Sequence, residues 1–127
     1  AACEHTTAVG DAFDVMEALA SARRRFDLVV VDPPSFAQRA DDVDRAPPAY
    51  TRLTHQALDQ LPPGGLRVQA SCSSRVTADA FHDGIHAAAD RAGRRLGEIA
   101  RTDHPLDHPV GFDQGAYLKA MIATVDP

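Results

Sequence analysis

The sequence predicts an α/β fold built on a mostly parallel sheet. Strand-like and helix-like segments alternate along the chain, and the run Leu28-Val29-Val30-Val31 is apolar at every position. Alternation of the two kinds of segment is typical of a parallel sheet. A strand without polar alternation is typical of one covered on both faces. We therefore expect a single domain over residues 1–127 with the element order β-α-β-α-β-α-β-loop-β.

The first elements are predicted from short local signals. Ala8-Val9 indicates a short strand, and the spacing of the apolar residues in 12–25 favours a helix. Residues 26–31 are then expected to form a strand. Asp32-Pro33-Pro34 ends that strand, because proline has no N–H to donate and disfavours helix in the residue before it.

The second half has clearer boundaries. Residues 38–48 are polar and contain proline, which predicts a loop, and a helical apolar face then runs from Tyr50 to Leu61. Pro62-Pro63-Gly64-Gly65 predicts the turn that ends this helix. The following elements are a strand at 66–71, a helix capped by Thr77 and stopped at Gly93, a strand at 96–101, a loop at 102–115 and a strand at 117–125.

Composition excludes several classes of protein. No apolar run approaches the roughly 20 residues that a membrane span requires, and no signal segment opens the chain, so we expect a cytoplasmic protein without membrane contact. Two cysteines, Cys3 and Cys72, do not suggest a disulfide framework. The net charge of −5 predicts that this chain alone binds a polyanion such as a nucleic acid weakly.

Two peptides stand where ligands bind in open α/β sheets, outside the carboxyl ends of strands. They are Asp32-Pro33-Pro34 and Ser71-Cys72-Ser73, which makes them the leading site candidates. Taken alone, each has a plain structural interpretation, a strand-ending turn and a small buried thiol respectively.

Three motifs in order carry a family resemblance. The segment Val31–Phe36 resembles motif IV of class I nucleic-acid methyltransferases. Pro63–Leu66 with Ser71-Cys72-Ser73 resembles the next strand of the cytosine-5 methyltransferases of large-subunit ribosomal RNA. Asp107–Val110 and Gly115–Ala120 resemble that family's closing motif and last strand. The resemblance implies a Rossmann-like class I methyltransferase sheet, S-adenosyl-L-methionine as cofactor and ribosomal RNA as substrate.

The resemblance also implies roles for individual residues. Cys72 would be the nucleophile that adds to carbon 6 of cytosine, and Asp32 would contact the target base. Because only a thiolate reacts, Cys72 requires neighbouring donors or positive charge. Cofactor-binding positions would be Asp11, Ala12, Asp32 and Pro33, and substrate-binding positions Pro34, Phe36, Ser71 and Ser73. Asp11 has a second interpretation, as the cap of the following helix.

Several alternatives remain open at this point. The chain has no Gly-x-Gly pattern and opens without methionine. We therefore expect residues 1–127 to be the C-terminal part of a methyltransferase catalytic domain, without the N-terminal strands and glycine-rich loop of the class. A missing N-terminal segment or a second copy could complete the sheet. The chain could instead be an inactive fragment or interaction module, or belong to a nitrogen-directed methyltransferase that needs no cysteine.

The histidines do not predict a metal site. His82 and His86 are expected on a helix surface, and His104 and His108 in a proline-containing turn.

Overall fold

A computed structural model describes residues 3–36, 46–112 and 115–126. The elements are α1 (Ala12–Ser21), β1 (Leu28–Val31), α2 (Ala46–Asp59), β2 (Leu66–Ser71), α3 (Ala78–Arg91), β3 (Leu96–Thr102) and β4 (Lys119–Val125). The strands form one sheet in the order β1-β2-β4-β3. β1 and β2 are parallel, and β4 is antiparallel to both of its neighbours. The predicted α/β fold is confirmed: β1, β2 and β3 share one direction and β4 runs against them.

Local capping signals set the helix boundaries. The carboxylate of Asp11 accepts the N–H of Phe13 at 2.9 Å, so Asp11 caps α1. The hydroxyl of Thr77 accepts the N–H of Ala80 at 3.2 Å and caps α3 as expected. Gly93 follows α3 with φ of 67°, a left-handed conformation that glycine adopts without a Cβ penalty.

The strand predicted at Ala8-Val9 is wrong. These residues are not in a strand, and the side chain of Val9 is 98% exposed. A strand of two residues needs a neighbour whose backbone groups it can pair with, and no strand of the described residues pairs with the outer edge of β1.

Two helix boundaries also differ from expectation. α1 ends at Ser21 rather than Arg25, because Arg23 takes a left-handed φ of 54° that terminates the helix. α2 begins at Ala46, before the expected start at Tyr50, with prolines in its first turn, where their missing N–H groups have no intrahelical role. The predicted loop therefore ends by Ala46, and its residues 38–45 lie outside those described.

Of the three helices that the described residues form, α2 and α3 pack on one face of the sheet, and α1 packs against α2. Val31 packs with Leu53 of α2, and Met121 packs with Phe81 of α3. Val31, Gln69 and Met121 are paired across β1, β2 and β4, so they share this face. The buried core therefore lies between the helices and this side of the sheet.

The opposite face of the sheet is apolar and partly open. Val30, Val68 and Ile122 are paired across the three strands on that side, and Val30 is 60% exposed. Leu28 on the same face of β1 is 50% exposed, so the expectation that this strand is covered on both faces is wrong for the described residues. β1 also lies at the edge of the sheet that these residues form. None of the helices in the described residues is long and apolar enough to cross a bilayer.

Candidate active site

Two chemically reactive side chains lie at the carboxyl ends of β1 and β2. Asp32 directly follows β1, and Cys72 directly follows β2. Because the strands are parallel neighbours, with Val31 opposite Gln69, their carboxyl ends share one edge of the sheet. Asp32 is exposed, whereas Cys72 is half-buried and forms no disulfide. The structure thus brings together the two residues that the sequence singled out for catalysis.

The hydroxyl of Tyr50 connects α2 to this edge. Tyr50 is 6% exposed, and its hydroxyl lies 2.7 Å from Ser71 Oγ. Burial raises the pKa of Tyr50; the hydrogen bond with Ser71 lowers it, and negative charge on Cys72 and Asp32 raises it. The phenol therefore stays neutral and can donate a hydrogen bond. Sequence reasoning placed Tyr50 only on the apolar face of a helix and missed this polar role.

The serines on either side of Cys72 have buried side chains. Ser71 and Ser73 are each 1% exposed, and Ser71 Oγ accepts the N–H of Ser73 at 3.3 Å. Ser73 Oγ has no hydrogen-bond partner among the described residues. The contacts that are formed fix the backbone of the turn that carries the Cys72 thiol.

Lys119 approaches the same turn from β4. Its side chain is 5% exposed, and its ammonium donates to the carbonyl oxygen of Ser73 at 2.7 Å and to that of Tyr117 at 3.0 Å. Burial lowers the pKa of Lys119, and negative charge on Cys72 raises it. Lys119 lies in the segment that resembles the family's last strand, but sequence alone gave no sign that its ammonium binds the turn that carries the nucleophile candidate.

A cleft of about 350 Å³ opens beside β1 and gathers the predicted cofactor positions. Its walls include Asp11, Ala12, Asp32 and Pro33. The remaining lining residues are mostly apolar: Phe13, Met16, Val30, Val31, Pro34, Phe36 and Leu53. The predicted substrate residues Pro34 and Phe36 thus line the same cleft as the predicted cofactor residues.

A second cleft, of about 450 Å³, lies between α3 and the segment that precedes β4. Its polar lining comes from Ser74, Thr77, Asp103, His104 and Lys119. His104 Nε2 accepts the backbone N–H groups of residues 117 and 118, each at 3.0 Å. The imidazole is therefore a hydrogen-bonded part of the loop, in agreement with the turn predicted there.

One expectation for the histidines is wrong. His82 is 3% exposed and packs against Phe81, because its position on α3 faces the core rather than solvent. His86 is partly exposed, with Nε2 3.1 Å from Glu98 Oε2. The described residues contain no group of three or more histidine, cysteine, aspartate or glutamate side chains placed to hold a metal ion.

The fold is that of class I methyltransferases. A solved structure of a candidate SAM-dependent methyltransferase from Streptococcus mutans superposes with a TM-score of 0.75 at 22% identity. The match covers 91% of this chain and 30% of that one. A second structure, a crystal structure of a candidate methyltransferase complexed with SAH, gives a TM-score of 0.74 at 24% identity with the same coverage. At these identities the likeness shows the fold.

The similarity to curated sequences is higher than the similarity to these solved structures, and the curated names are more specific about the substrate. The chain is 37% identical over 122 residues to a ribosomal RNA large subunit methyltransferase from Deinococcus radiodurans, a match that covers 96% of this chain and 30% of that protein. It is 34% identical over 125 residues to ribosomal RNA large subunit methyltransferase I from Shewanella amazonensis, covering 96% and 32%. No protein-family model matches. The chain therefore spans about a third of the length of these curated relatives.

Proposed function

We propose that the chain is the substrate-side part of an S-adenosylmethionine-dependent methyltransferase that acts on ribosomal RNA in the cytoplasm, at carbon 5 of cytosine. The observation that supports the proposal is the position of Cys72 and Asp32, which lie at the carboxyl ends of neighbouring parallel strands in a class I methyltransferase sheet. The names of the sequence relatives support ribosomal RNA as the substrate.

The cleft beside β1 suits the adenine end of the cofactor. Its apolar walls fit a flat aromatic ring, and Asp11 and Asp32 provide acceptors for an exocyclic amine. Ala12 opens α1, so its backbone N–H has no intrahelical acceptor and is free to donate to a ring nitrogen. When bound, the cofactor supplies the methyl group. The chain has no Gly-x-Gly turn to hold the rest of the molecule.

Cys72 would act by nucleophilic catalysis. Its thiolate adds to carbon 6 of cytosine, and the electron pair of the C5=C6 bond makes carbon 5 nucleophilic enough to take a methyl group. A base then removes the proton from carbon 5, the double bond re-forms, and the thiolate leaves. Asp32 would contact the ring and orient it. A nucleobase in a duplex must leave the base stack to reach Cys72, so the substrate cytosine is flipped or unpaired.

A further segment or a second copy would complete the sheet. Within the described part of the chain no strand pairs with the outer edge of β1, and Leu28 and Val30 expose apolar surface beside it. In the curated relatives about two-thirds of the protein lies outside the matched part. Light scattering distinguishes the two arrangements: a monomer favours a missing segment, and a dimer favours a second copy.

Cofactor binding is the first test. Calorimetric titration of the folded chain with S-adenosylhomocysteine should give micromolar binding if the cleft beside β1 suffices or a second copy completes it. Asp11→Asn should weaken that binding, and Asp14→Asn, an exposed carboxylate in the first turn of α1, is the matched control. No binding to the chain, or to a protein that extends it to the length of its relatives, contradicts the cofactor assignment.

Methyl transfer is the second test. Unmethylated large-subunit ribosomal RNA is incubated with labelled S-adenosylmethionine and the extended protein, and the methylated nucleoside is identified by mass spectrometry. We expect 5-methylcytidine, with Cys72→Ser and Asp32→Asn losing at least a hundredfold in rate. Cys3→Ser, the same change at an exposed thiol, should retain activity. Activity retained in Cys72→Ala with a nitrogen-methylated product would show a nitrogen-directed methyltransferase instead.

A further inference from the structure

Lys119 is a buried cation whose two hydrogen-bond partners are both backbone carbonyls. The ammonium donates to the oxygens of Ser73 and Tyr117, and the side chain is 5% exposed. The ion pairs that the described residues form do not include Lys119. Removing an ammonium from water without a counter-charge is unfavourable. The two carbonyl bonds stabilise the ammonium in part, but they leave its charge without a counter-ion, so the burial of a full charge here calls for a further explanation.

The position of Lys119 in the sheet directs its charge to the Cys72 turn. Lys119 is the first residue of β4 and is paired with Ser71, the last residue of β2. The carbonyl of Ser73 that it binds is one residue beyond Cys72. An ammonium has three N–H groups, so a third donor remains beyond the two carbonyl bonds. Negative charge on Cys72 raises the pKa of Lys119, so the two side chains are electrostatically coupled.

We propose that Lys119 is a positioning residue for Cys72: its charge favours the thiolate, and its hydrogen bonds hold the turn that presents the thiol. The inference rests on the proposed role of Cys72 as the nucleophile. A reactive thiol needs positive charge or donors nearby, and Lys119 supplies a buried positive charge on the residue next to Cys72. The thiolate, which forms only when Cys72 ionises, is then a counter-charge for Lys119 at this turn. Asp103 also raises the pKa of Lys119, but the ion pairs of the described residues do not join the two.

The other charged or titratable groups around this turn do not replace Lys119. Asp32 after β1 and Asp103 after β3 carry negative charge, which opposes a thiolate. Tyr50 from α2 and His104, whose Nε2 accepts two backbone N–H groups, present neutral rings. Arg75 is cationic but exposed, so solvent screens its charge.

Alkylation of the thiol tests the inference without requiring methyl transfer. The chain has two cysteines, so in a Cys3→Ser background iodoacetamide reacts only with Cys72. Lys119→Gln keeps N–H donors for the two carbonyls but removes the charge. We expect its alkylation rate at pH 7 to fall roughly tenfold, the effect of removing a nearby opposite charge, and its rate–pH profile to move to higher pH. Arg75→Gln, with the same charge change at an exposed site, should stay within about twofold.

A conservative variant separates charge from packing. Lys119→Arg keeps the charge and should retain most of the rate, with circular dichroism verifying the fold of each variant. Equal losses in Lys119→Arg and Lys119→Gln, or an unchanged rate in folded Lys119→Gln, would overturn the inference.

A measurement on the unmutated site covers the case in which Lys119→Gln does not fold. A buried cation beside the thiolate should raise the ratio of iodoacetate to iodoacetamide rates at Cys72 above that at Cys3 in a Cys72→Ser chain. A ratio no higher at Cys72 also contradicts the inference. These outcomes can be told apart from failure of the proposed methyltransferase function. If Cys72→Ser abolishes methylation while the alkylation rate is the same with and without Lys119, only the role of Lys119 fails. If Lys119→Gln slows alkylation but Cys72→Ser still methylates RNA, the nucleophile assignment fails.

Discussion

Replacing Arg67 with methionine should stabilise the chain. Arg67 lies on β2, is 0% exposed, and donates one hydrogen bond, from Nη2 to Thr54 Oγ1 at 3.1 Å. Its Nε and Nη1 have no partner among the described residues, and the ion pairs formed by those residues do not include it. A buried charge without a partner opposes folding, and apolar residues of similar volume in such places are often stabilising. Methionine matches the length of the arginine stem and adapts to irregular space.

The size of the effect follows from the environment of the guanidinium. Burial lowers the pKa of Arg67 to about 10, which corresponds to about 3 kcal/mol against the charged form. The group remains charged at neutral pH, so the folded state carries this penalty there. The hydrogen bond to Thr54 offsets about 1 kcal/mol. We therefore expect Arg67→Met to raise the free energy of unfolding by about 2 kcal/mol, equivalent to roughly 8 °C in Tm for a chain of this size.

Urea unfolding followed by circular dichroism measures the change at pH 7. The control is Arg95→Met, which removes an exposed cation and should alter stability by less than about 0.5 kcal/mol. A folded Arg67→Met chain that is less stable than the parent would refute the reasoning. It would mean that the guanidinium makes favourable contacts, through buried water or otherwise, that outweigh its desolvation.

Two further predictions concern α3. Thr77→Ala removes the hydroxyl that accepts the N–H of Ala80 and should lower the free energy of unfolding by about 1 kcal/mol. Thr77→Ser keeps a hydroxyl and should retain most of the stability. Equal losses for the two variants in urea titrations would contradict the capping role. Burial lowers the pKa of His82, and the charge of Arg101 lowers it further. At pH values between the ordinary and the lowered pKa, the unfolded chain therefore binds a proton at this residue that the folded chain does not. Stability should therefore fall as pH drops from 7 to 5, and His82→Gln should reduce that slope; an unchanged slope would show that other groups control it.

Local signals were sufficient where they act within a few residues. β2 has the predicted bounds because Pro62-Pro63-Gly64-Gly65 ends the preceding helix and starts the strand. α3 follows its Thr77 cap and the Gly93 stop in the same way. Ala8-Val9 failed because a strand depends on a partner that local sequence does not reveal. The juxtaposition of Asp32 and Cys72 was predictable because parallel strands end at one edge.

The orientation of β2 was beyond local reasoning. Its sequence alternates, and a half-buried strand ordinarily turns its apolar residues to the core. Here Arg67, Gln69 and Ser71 face the helices, whereas Leu66 and Val68 lie on the open face. The polar side is buried because Thr54 and Tyr50 of α2 provide hydrogen-bonding groups opposite it. The packing of α2 across the sheet brings Tyr50 to the site, and the pairing of β4 with β2 brings Lys119 there. The sequence encodes neither contact locally.

Lys119→Met should destabilise the chain, the opposite of the effect expected at Arg67. Both residues are buried cations without a carboxylate, but their partners differ. The Thr54 hydroxyl that loses Arg67 still lies 2.9 Å from a backbone carbonyl and 3.1 Å from Gln69 Oε1. Loss of Lys119 leaves the carbonyls of Ser73 and Tyr117 without their donor.

A buried acceptor left unsatisfied costs about 1–3 kcal/mol, which exceeds the relief of desolvation for a half-satisfied ammonium. We expect Lys119→Met to lose about 1 kcal/mol in urea unfolding and Lys119→Gln to lose less, since glutamine can still donate. If Lys119→Met proves as stabilising as Arg67→Met, the hydrogen bonds do not hold the Cys72 turn. The influence of Lys119 on the thiol would then have to come from charge alone.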